Sequence, residues 1–170
     1  MTSFYSPGFI FGRLPALGAD PDTITISGLS GGSTGAAQFS TAYSDTYAGV
    51  GLWIGSSFGE NTMLDEDEVD PVTSAARNVQ LAWDMYADGD IDDPGNISGW
   101  PVYIFSGTED ETVVPSRQKG QKNFYETLGA NVDFHEEPVD HGGFYCDEDE
   151  PYCGENLVER MMTHLLSNLG

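Results

Sequence analysis

The sequence predicts an α/β protein in which about four strand–helix units form a parallel sheet. Three observations lead to this prediction. Short β-branched or apolar segments alternate along the chain with longer segments that carry apolar residues at helical spacing. One short segment, 101–105, is apolar on both faces, as in a parallel strand that is covered on both sides. The length of 170 residues suits one domain, so we expect a single domain over 1–170, with 1–13 as an irregular N-terminal arm.

The first half of the chain is expected to form two strands and one helix. Residues 23–27 alternate Thr and Ile and predict the first strand. The apolar side chains of 33–44 recur at helical spacing and predict a helix, and 49–54 predicts the second strand. The acidic segment 65–70 is expected to be a solvated loop, with a calcium-binding loop as the alternative.

The second half continues the alternation. Residues 73–87 predict a helix, and 101–105 is the third strand. A third helix is expected at 116–128, followed by a short fourth strand at 132–135. The last segment, 158–169, carries six apolar side chains at a period of 3.6 residues and predicts a final amphipathic helix.

The charge of the chain is strongly unbalanced. Six Lys and Arg residues face 28 Asp and Glu residues, which gives a net charge of −22. Such a field repels phosphates, so the composition argues against nucleic acid, an anionic lipid surface or a polyanionic substrate as the partner. No apolar run is long enough to span a bilayer, so we expect no membrane insertion. The composition therefore predicts a partner or substrate that is not a polyanion.

The pattern Gly-x-Ser-x-Gly occurs three times, around Ser30, Ser33 and Ser57. This pattern is typical of the nucleophile elbow of α/β hydrolases, where a strand ends in a tight turn and a helix begins at once. The flanking glycines are expected because a Cβ there would clash with the neighbouring backbone. Only Ser30 directly follows a predicted strand and directly precedes a predicted helix, so Ser30 is the candidate nucleophile. Gly31 would then offer its backbone N–H, at a helix N-terminus, to a developing oxyanion.

A serine nucleophile requires a base and an acid that orients it. In α/β hydrolases the acid and the histidine follow the serine in that order, each in a loop after a strand. Asp110 follows the third predicted strand and His141 follows the fourth, so we predict the triad Ser30, Asp110 and His141. The neighbours Glu109 and Glu111 are expected to be solvated. His135 lies within a predicted strand and His164 on the last helix, which makes both poorer candidates for the base.

Two cysteines, Cys146 and Cys153, enclose a short segment near the C-terminus. They could form a disulfide, half of a metal site or two free thiols. Only one further soft ligand lies nearby, so zinc is not expected. A disulfide would imply an oxidising compartment. The N-terminus has no basic stretch before its apolar residues, which predicts either an intracellular chain or a mature form or fragment without its signal peptide.

Several segments together resemble the single-domain, secreted poly(3-hydroxybutyrate) depolymerases. The resemblance is carried by 14–16 (LPA), 22–32 (DTITISGLSGG), 42–51 (AYSDTYAGVG) and 102–113 (VYIFSGTEDETV), and more loosely by the region 141–153 that contains both cysteines. It covers roughly residues 14–168.

The resemblance implies a serine esterase that cleaves polyester bonds through an acyl-enzyme. Ser30 would attack the ester carbonyl, His141 would take the proton of Ser30, Asp110 would hold the imidazole, and Gly31 would supply half of the oxyanion hole. Neither a metal nor a cofactor is implied. The alternatives from the residues alone are a general carboxylesterase, and a weak or inactive binding module that has kept the fold.

The chain departs from a full hydrolase sheet. Only 29 residues precede Ser30, whereas most α/β hydrolases have several strands before the nucleophile. In the family it resembles, members with an early nucleophile place those strands after the last helix. We therefore expect a partial hydrolase sheet in which the strand before Ser30 is an exposed edge and the second oxyanion donor is missing. A longer reading frame, a second chain that completes the sheet or a reduced protein would each account for this.

Overall fold

A computed structural model describes residues 18, 20–60, 70–142 and 156–167, and it confirms the α/β class. Four parallel strands form one sheet in the order β1-β2-β3-β4. The strands are β1 (Thr25–Leu29), β2 (Gly49–Trp53), β3 (Pro101–Gly107) and β4 (Asn131–Glu137), and the helices are α1 (Gly31–Ala42), α2 (Pro71–Asp88), α3 (Pro115–Thr127) and α4 (Leu157–Leu165).

Local capping chemistry sets the start of two helices. The Asp70 side chain accepts hydrogen bonds from the N–H of Thr73, at 2.9 Å, and from its hydroxyl. These bonds, the hydroxyl bond first, hold the pKa of Asp70 below its ordinary value. Pro71 fits the first helical position, so α2 begins two residues before its predicted start. Asn156 caps α4 in the same way, accepting from the N–H of Glu159 at 3.0 Å. In the predicted acidic loop, Asp70 is thus a helix cap, and 65–69 lie outside the described residues.

The first strand begins later than predicted. Residues Pro21–Thr23 form a short 3-10 turn, in which Thr23 N–H donates to the Asp20 carbonyl at 3.2 Å. Extended pairing with β2 therefore starts at Thr25 and continues to Leu29, directly before Ser30. The strand thus ends where the nucleophile elbow requires it to end.

The sheet buries a different apolar cluster on each face. Successive side chains of a strand point to opposite faces. Val50, Leu52 and Ile104 pack with Phe124 and Ala82 in the cluster shared with α1, α2 and α3. Of the described helices, only α4 contributes to the second cluster, which contains Trp53, Ile54, Tyr103, Phe105, Val139, Leu157, Met161 and Leu165. Every residue of β3 is buried, which confirms the prediction from its two apolar faces.

Strand β1 is an edge of the described sheet, as predicted. In the described part of the chain it pairs with β2 alone, and none of its residues is fully buried. Leu29, beside Ser30, is 36% exposed, and Ile24, just before the strand, is 43% exposed. An edge of this kind offers unpaired backbone groups to another strand.

The parallel arrangement brings the loops after all four strands to one edge of the sheet. Ligands of open α/β sheets bind at that edge, outside the carboxyl ends of the strands. None of the described helices is both long and apolar enough to cross a membrane. The predicted arm 1–13 lies outside the described residues and remains a prediction. Cys146 and Cys153 also lie outside them, so a disulfide between the two cysteines remains a prediction as well.

Candidate active site

Ser30 occupies the sharp turn between β1 and α1. Its backbone has φ 53° and ψ −119°, a conformation that is costly for a residue with a side chain. The Ser30 N–H donates to the Trp53 carbonyl of β2 at 2.9 Å, which fixes the turn against the sheet. Strained residues held in this way are common at reactive positions.

The two glycines that flank the elbow play different parts. A Cβ on Gly28 would lie 2.1 Å from the carbonyl oxygen of Gly32, so only glycine fits there. A Cβ on Gly32 would have nothing within 4 Å. The prediction that both glycines avoid a backbone clash is therefore right for Gly28 and wrong for Gly32, because the close approach is between the end of β1 and the carbonyl side of the first turn of α1.

The structure brings the three predicted triad residues together. Ser30 Oγ lies 2.9 Å from His141 Nε2, and His141 Nδ1 lies 2.8 Å from Asp110 Oδ2. With the imidazole proton on Nδ1, His141 donates to Asp110 and its Nε2 accepts from the Ser30 hydroxyl. This is the hydrogen-bond order in which a histidine can remove a proton from a serine.

Asp110 is anchored by its own turn. Its side chain is fully buried. Oδ1 accepts the N–H groups of Thr112 and Val113, each at 2.8 Å, while Oδ2 is left to His141. A carboxylate whose two oxygens are committed in this way keeps its orientation and that of the imidazole it holds. The neighbours Glu109 and Glu111 are exposed, as predicted.

The acid loop and the histidine loop are joined by backbone hydrogen bonds beyond the ends of β3 and β4. Thr108 N–H donates to the Glu137 carbonyl at 2.7 Å, and Glu109 N–H donates to the Val139 carbonyl at 3.1 Å. A Cβ on Gly107 would lie 2.4 Å from the Val139 carbonyl oxygen, so the glycine permits this approach. Gly107 was not predicted from the sequence, although its position between a strand and the acid was an available signal.

Gly31 is the first residue of α1. Its N–H belongs to the first turn, where the helix itself provides no acceptor. The helix dipole places partial positive charge at this end. The Gly31 N–H is therefore available to donate to an oxyanion that forms next to Ser30 at the N-terminus of α1.

The loop after β2 forms a buried support beside the elbow. Ile54 has φ 45°, a strained value for a β-branched residue, and it is 1% exposed. The loop backbone is held by glutamine side chains from two helices: Gln118 donates to the Gly55 carbonyl at 3.4 Å, Gln121 to the Ser56 carbonyl at 2.9 Å and Gln38 to the Ser57 carbonyl at 3.0 Å. This support was not predicted from the sequence, because glutamines on a helix give no signal of burial.

The described part of the same loop includes a buried carboxylate, Glu60. Glu60 Oε1 accepts hydrogen bonds from the Ser74 hydroxyl and from Asn78 Nδ2, the latter at 3.3 Å. Glu60 Oε2 lies 3.8 Å from Arg117 Nη1, and both side chains are almost fully buried. Glu60 thus connects the β2 loop to α2 through these hydrogen bonds and to α3 through the Arg117 charge.

The competing serines and histidines lie elsewhere. Ser33 is fully buried within α1, and Ser57 is fully buried in the β2 loop. His135 lies in β4 and His164 on α4, as predicted. His164 Nε2 donates to the Asn131 carbonyl at 2.9 Å. In the described part of the chain, Ser30 is therefore the motif serine that has a histidine within hydrogen-bond distance.

A charged network ties β4 to α4. Arg160 donates to both oxygens of Asp133, at 2.8 and 2.9 Å, and to His135 Nδ1 at 2.7 Å. Because Arg160 can only donate, His135 carries its proton on Nε2, which donates to Glu137 at 2.8 Å. The hydrogen bonds from Arg160, and then its charge, hold the pKa of Asp133 below its ordinary value. Within the ranges that the structure describes, no group of three or more His, Cys, Asp or Glu residues could hold a metal ion.

Comparison with known proteins supports the resemblance predicted from the sequence. The chain is 30% identical to the poly(3-hydroxybutyrate) depolymerase of Delftia acidovorans, over 92% of this chain and 36% of that protein. It is 28% identical to the polyhydroxybutyrate depolymerase of Talaromyces funiculosus, over 76% of this chain and 42% of that protein. The chain thus spans less than half of the length of these curated relatives. No family model matches the chain.

Solved structures confirm the fold. A PHB depolymerase in complex with an R3HB trimer superimposes with a TM-score of 0.60 at 22% identity, over 75% of this chain and 42% of that chain. The predicted α/β-hydrolase-like class with a four-stranded partial sheet is therefore correct. The prediction of a relative of the PHB depolymerases is also confirmed.

Proposed function

We propose that this relative of the poly(3-hydroxybutyrate) depolymerases is a serine hydrolase of carboxylic esters, with Ser30 as nucleophile, His141 as general base and Asp110 as the residue that orients the base. The observation that carries the proposal is the continuous hydrogen-bond path from Ser30 Oγ through His141 to Asp110, with steps of 2.9 and 2.8 Å. No metal or cofactor enters this chemistry.

In the first half-reaction, Ser30 Oγ attacks the ester carbonyl as its proton moves to His141 Nε2. The imidazolium is stabilised by Asp110. Negative charge develops on the carbonyl oxygen, and the Gly31 N–H stabilises it. His141 then gives the proton to the leaving alkoxide, the C–O bond breaks, and the acyl group remains on Ser30.

In the second half-reaction, water replaces the alcohol. His141 removes a proton from the water, which attacks the acyl carbonyl, and the same proton returns to Ser30 Oγ as the acid leaves. The balance is one ester and one water giving one alcohol and one carboxylic acid, which ionises at neutral pH. Both steps use the same base and the same oxyanion site.

A second donor to the oxyanion is part of this proposal. Most acyl-transfer sites use two, and loss of one costs about 10²–10³ in rate. We propose that it comes from a second chain or from a segment outside the four described strands, packed beside β1. The half-exposed edge of β1 supports this, since Leu29 next to Ser30 has room for a neighbour.

We propose a neutral polyester, a poly(hydroxyalkanoate), as the substrate, and secretion as the route by which the protein meets it. Two relatives bear the name of depolymerases of this polymer, and one matched structure holds an R3HB trimer. The net charge of −22 does not oppose the binding of an uncharged polymer.

The first test is hydrolysis of p-nitrophenyl butyrate by the wild-type chain and by Ser30→Ala. We expect Ser30→Ala to lower kcat by on the order of 10⁴ or more, because the nucleophile is lost. Ser33→Ala and Ser57→Ala are matched controls, since they make the same change in the other two motif copies and should keep activity within about threefold. Activity that survives Ser30→Ala would refute the proposed nucleophile.

The second test separates a polyesterase from a general carboxylesterase. Clearing of a poly(3-hydroxybutyrate) suspension is followed by turbidity beside turnover of the soluble ester. Ser30-dependent clearing supports the polymer as substrate. Turnover of the soluble ester alone would restrict the proposal to a carboxylesterase.

A further inference from the structure

The rim of the candidate active site carries three exposed carboxylates. Glu109 and Glu111 flank the buried Asp110, and Asp140 directly precedes His141. Consecutive Cα atoms are about 3.8 Å apart, so each of the three is a close neighbour of a triad residue. The acid loop and the histidine loop that carry these residues are joined by backbone hydrogen bonds, from Thr108 to Glu137 and from Glu109 to Val139.

The described basic residues lie on helices rather than on the acid or histidine loop, and each interacts with another side chain. They lie on α2, α3 and α4, and four of them form ion pairs, which are Arg117–Glu60, Lys119–Glu136, Lys122–Glu126 and Arg160–Asp133. Of the lysines and arginines in the described ranges, none pairs with Glu109, Glu111 or Asp140. Among the residues that the structure describes, no lysine or arginine therefore compensates the rim charges.

The adjoining sequence carries the same sign of charge. Residues 61–69 follow Glu60 and contain four acidic residues, and 143–155 follow Gly142 and contain five. Neither segment contains a lysine or an arginine. By composition, the two segments therefore carry net charges of −4 and −5.

We propose that Glu109, Glu111 and Asp140 are specificity-determining residues that reject esters bearing a second negative charge near the scissile bond. This inference rests on the proposed function, since it concerns the substrate class of the same site. The site then takes ester groups in uncharged surroundings. In a polyester these are the interior bonds and those near the hydroxyl end, and the bond beside the terminal carboxylate is disfavoured.

The same charges act on the product. Hydrolysis converts a neutral ester into a carboxylate, which the acidic rim repels after it has formed. Discrimination of this kind depends on Coulomb repulsion through solvent at the rim. Three such charges about 10 Å from an anion change its binding by about threefold to tenfold at low ionic strength, and salt reduces the effect.

The test compares mono-4-nitrophenyl adipate with its methyl ester. The two substrates share the scissile bond, the leaving group and the chain, and they differ in one remote carboxylate. We expect kcat/KM to favour the methyl ester, with a ratio that falls about threefold to tenfold as NaCl rises from about 0.02 M to about 0.5 M. Effects of salt on the enzyme itself cancel in the ratio.

A charge-neutralised variant tests the residues. The triple variant Glu109→Gln/Glu111→Gln/Asp140→Asn should lower the low-salt ratio by about threefold to tenfold while leaving turnover of the methyl ester within about threefold. The matched control is Asp84→Asn/Asp88→Asn/Asp90→Asn. It removes the same charge from exposed positions at the end of α2, at the opposite edge of the sheet, and should leave the ratio unchanged.

The outcomes are distinct. A ratio that neither salt nor the rim variant changes overturns the inference and leaves the proposed esterase intact. An equal effect of both triple variants also overturns it, because the net charge of the molecule would then be the cause. Absence of Ser30-dependent turnover of either ester overturns the proposed function and this inference with it. Where the triple rim variant does not fold, the single variants Glu109→Gln and Glu111→Gln replace it beside the wild-type salt series, and a ratio that neither the salt nor these variants change overturns the inference.

Discussion

At the scale of single residues, the candidate site depends on a few positions whose backbone conformation, hydrogen bonds or lack of space restrict which side chain can occupy them. Ser30 holds a strained backbone, and Asp110 commits both carboxylate oxygens. Gly28 allows β1 and α1 to meet with almost no space between them. These residues act through position as much as through reactivity, so substitutions there should separate folding from chemistry.

The two glycines of the elbow provide a matched pair. Gly28→Ala would force a Cβ to 2.1 Å from the Gly32 carbonyl oxygen, whereas Gly32→Ala meets nothing within 4 Å. We expect Gly28→Ala to destabilise the fold by about 2 kcal/mol or more through backbone displacement. Gly32→Ala should be neutral or stabilise α1 by about 0.5 kcal/mol, because alanine favours the helix. Urea unfolding of both variants measures this, and equal losses would contradict the described geometry.

Asp110→Asn tests the orientation of the base. The amide keeps the shape of the side chain but favours the histidine tautomer that cannot accept the Ser30 proton. We expect kcat on p-nitrophenyl butyrate to fall by on the order of 10⁴ with an unchanged circular dichroism spectrum. Glu109→Gln is the control, since it makes the corresponding acid-to-amide change at an exposed neighbour, and it should stay within about threefold. A small loss in Asp110→Asn would remove Asp110 from the proposed mechanism.

At the scale of elements, α4 is attached to the sheet by an apolar face and by one charged network. Met161 and Leu165 pack under β2 and β3, and the Trp53 indole N–H donates to the Met161 sulfur at 3.0 Å. Arg160 reaches across to Asp133 and His135 on β4. The helix thus ties β2, β3 and β4 together on the face opposite α1, α2 and α3.

The Asp133–Arg160 pair should give a pH-dependent contribution to stability. The pKa of Asp133 is lowered from 3.8, chiefly by hydrogen bonds from Arg160. A lowered folded-state pKa means that the contribution is present above the unfolded pKa and is lost as pH falls below 3.8 through the folded pKa. Asp133→Asn should therefore cost up to about 1 kcal/mol near pH 6 and progressively less below pH 4, since the pair is partly solvated.

Unfolding of Asp133→Asn and of the wild-type chain at pH 6, 4 and 3 measures this difference. Glu126→Gln is the control, because it removes an exposed pairing with Lys122 within one helix at 3.6 Å. That change should cost less than about 0.5 kcal/mol at any of these pH values. A constant penalty in Asp133→Asn down to pH 3 would contradict the assignment.

The sequence predicts those parts of the fold that depend on neighbouring residues. Local periodicity located four strands and four helices, and strand order then placed Ser30, Asp110 and His141 in loops at one edge. Two element starts differ from the prediction: the Asp70 cap starts α2 earlier, and the 3-10 turn delays β1. Periodicity, caps and turns all involve only a few neighbouring residues, so the sequence contains this information.

Long-range polar contacts could not be predicted in this way. The Gln121 amide donates to the Ser56 carbonyl, 65 residues away in the chain. Glu60 accepts hydrogen bonds from two side chains of α2 and lies beside the charge of Arg117 on α3. Glutamine and glutamate side chains are usually solvated, so the burial of Gln121 and Glu60 follows only from the packed structure. The need for glycine at position 107 is also a long-range effect, because it comes from the close approach of the Val139 carbonyl on another loop.

At the scale of the whole molecule, charge is the dominant property. A net charge of −22 on 170 residues leaves many carboxylates near one another. Asp45 and Asp92 illustrate the free-energy cost of placing two carboxylates close together. The Asp45 N–H donates to Asp92 Oδ2 at 3.2 Å, and the neighbouring Asp45 carboxyl raises the pKa of Asp92 above its ordinary value. A raised pKa means that folding disfavours ionisation here, so this pair destabilises the fold increasingly as pH rises through the folded-state pKa.

Salt should therefore stabilise the folded chain. Net charge of one sign destabilises a compact state by self-repulsion, and the screening length falls from about 30 Å at 0.01 M salt to about 10 Å at 0.1 M and about 3 Å at 1 M. We expect the Tm to rise by several degrees between about 0.02 M and 0.5 M NaCl, the range in which screening changes most. Thermal unfolding followed by circular dichroism measures it.

The control is the variant Asp84→Asn/Asp88→Asn/Asp90→Asn, which carries three fewer negative charges and should show a higher Tm at low salt and a smaller rise with NaCl. Repulsion and ion exclusion predict different curves: screening acts mainly below about 0.5 M, whereas salting-out grows steadily and is stronger for sulfate. A Tm that stays flat to 0.5 M and rises only at higher salt, equally in the variant, would show that self-repulsion does not limit stability. A rise confined to low salt and reduced in the variant would mean that the acidic surface which favours uncharged substrates also weakens the fold that carries the site.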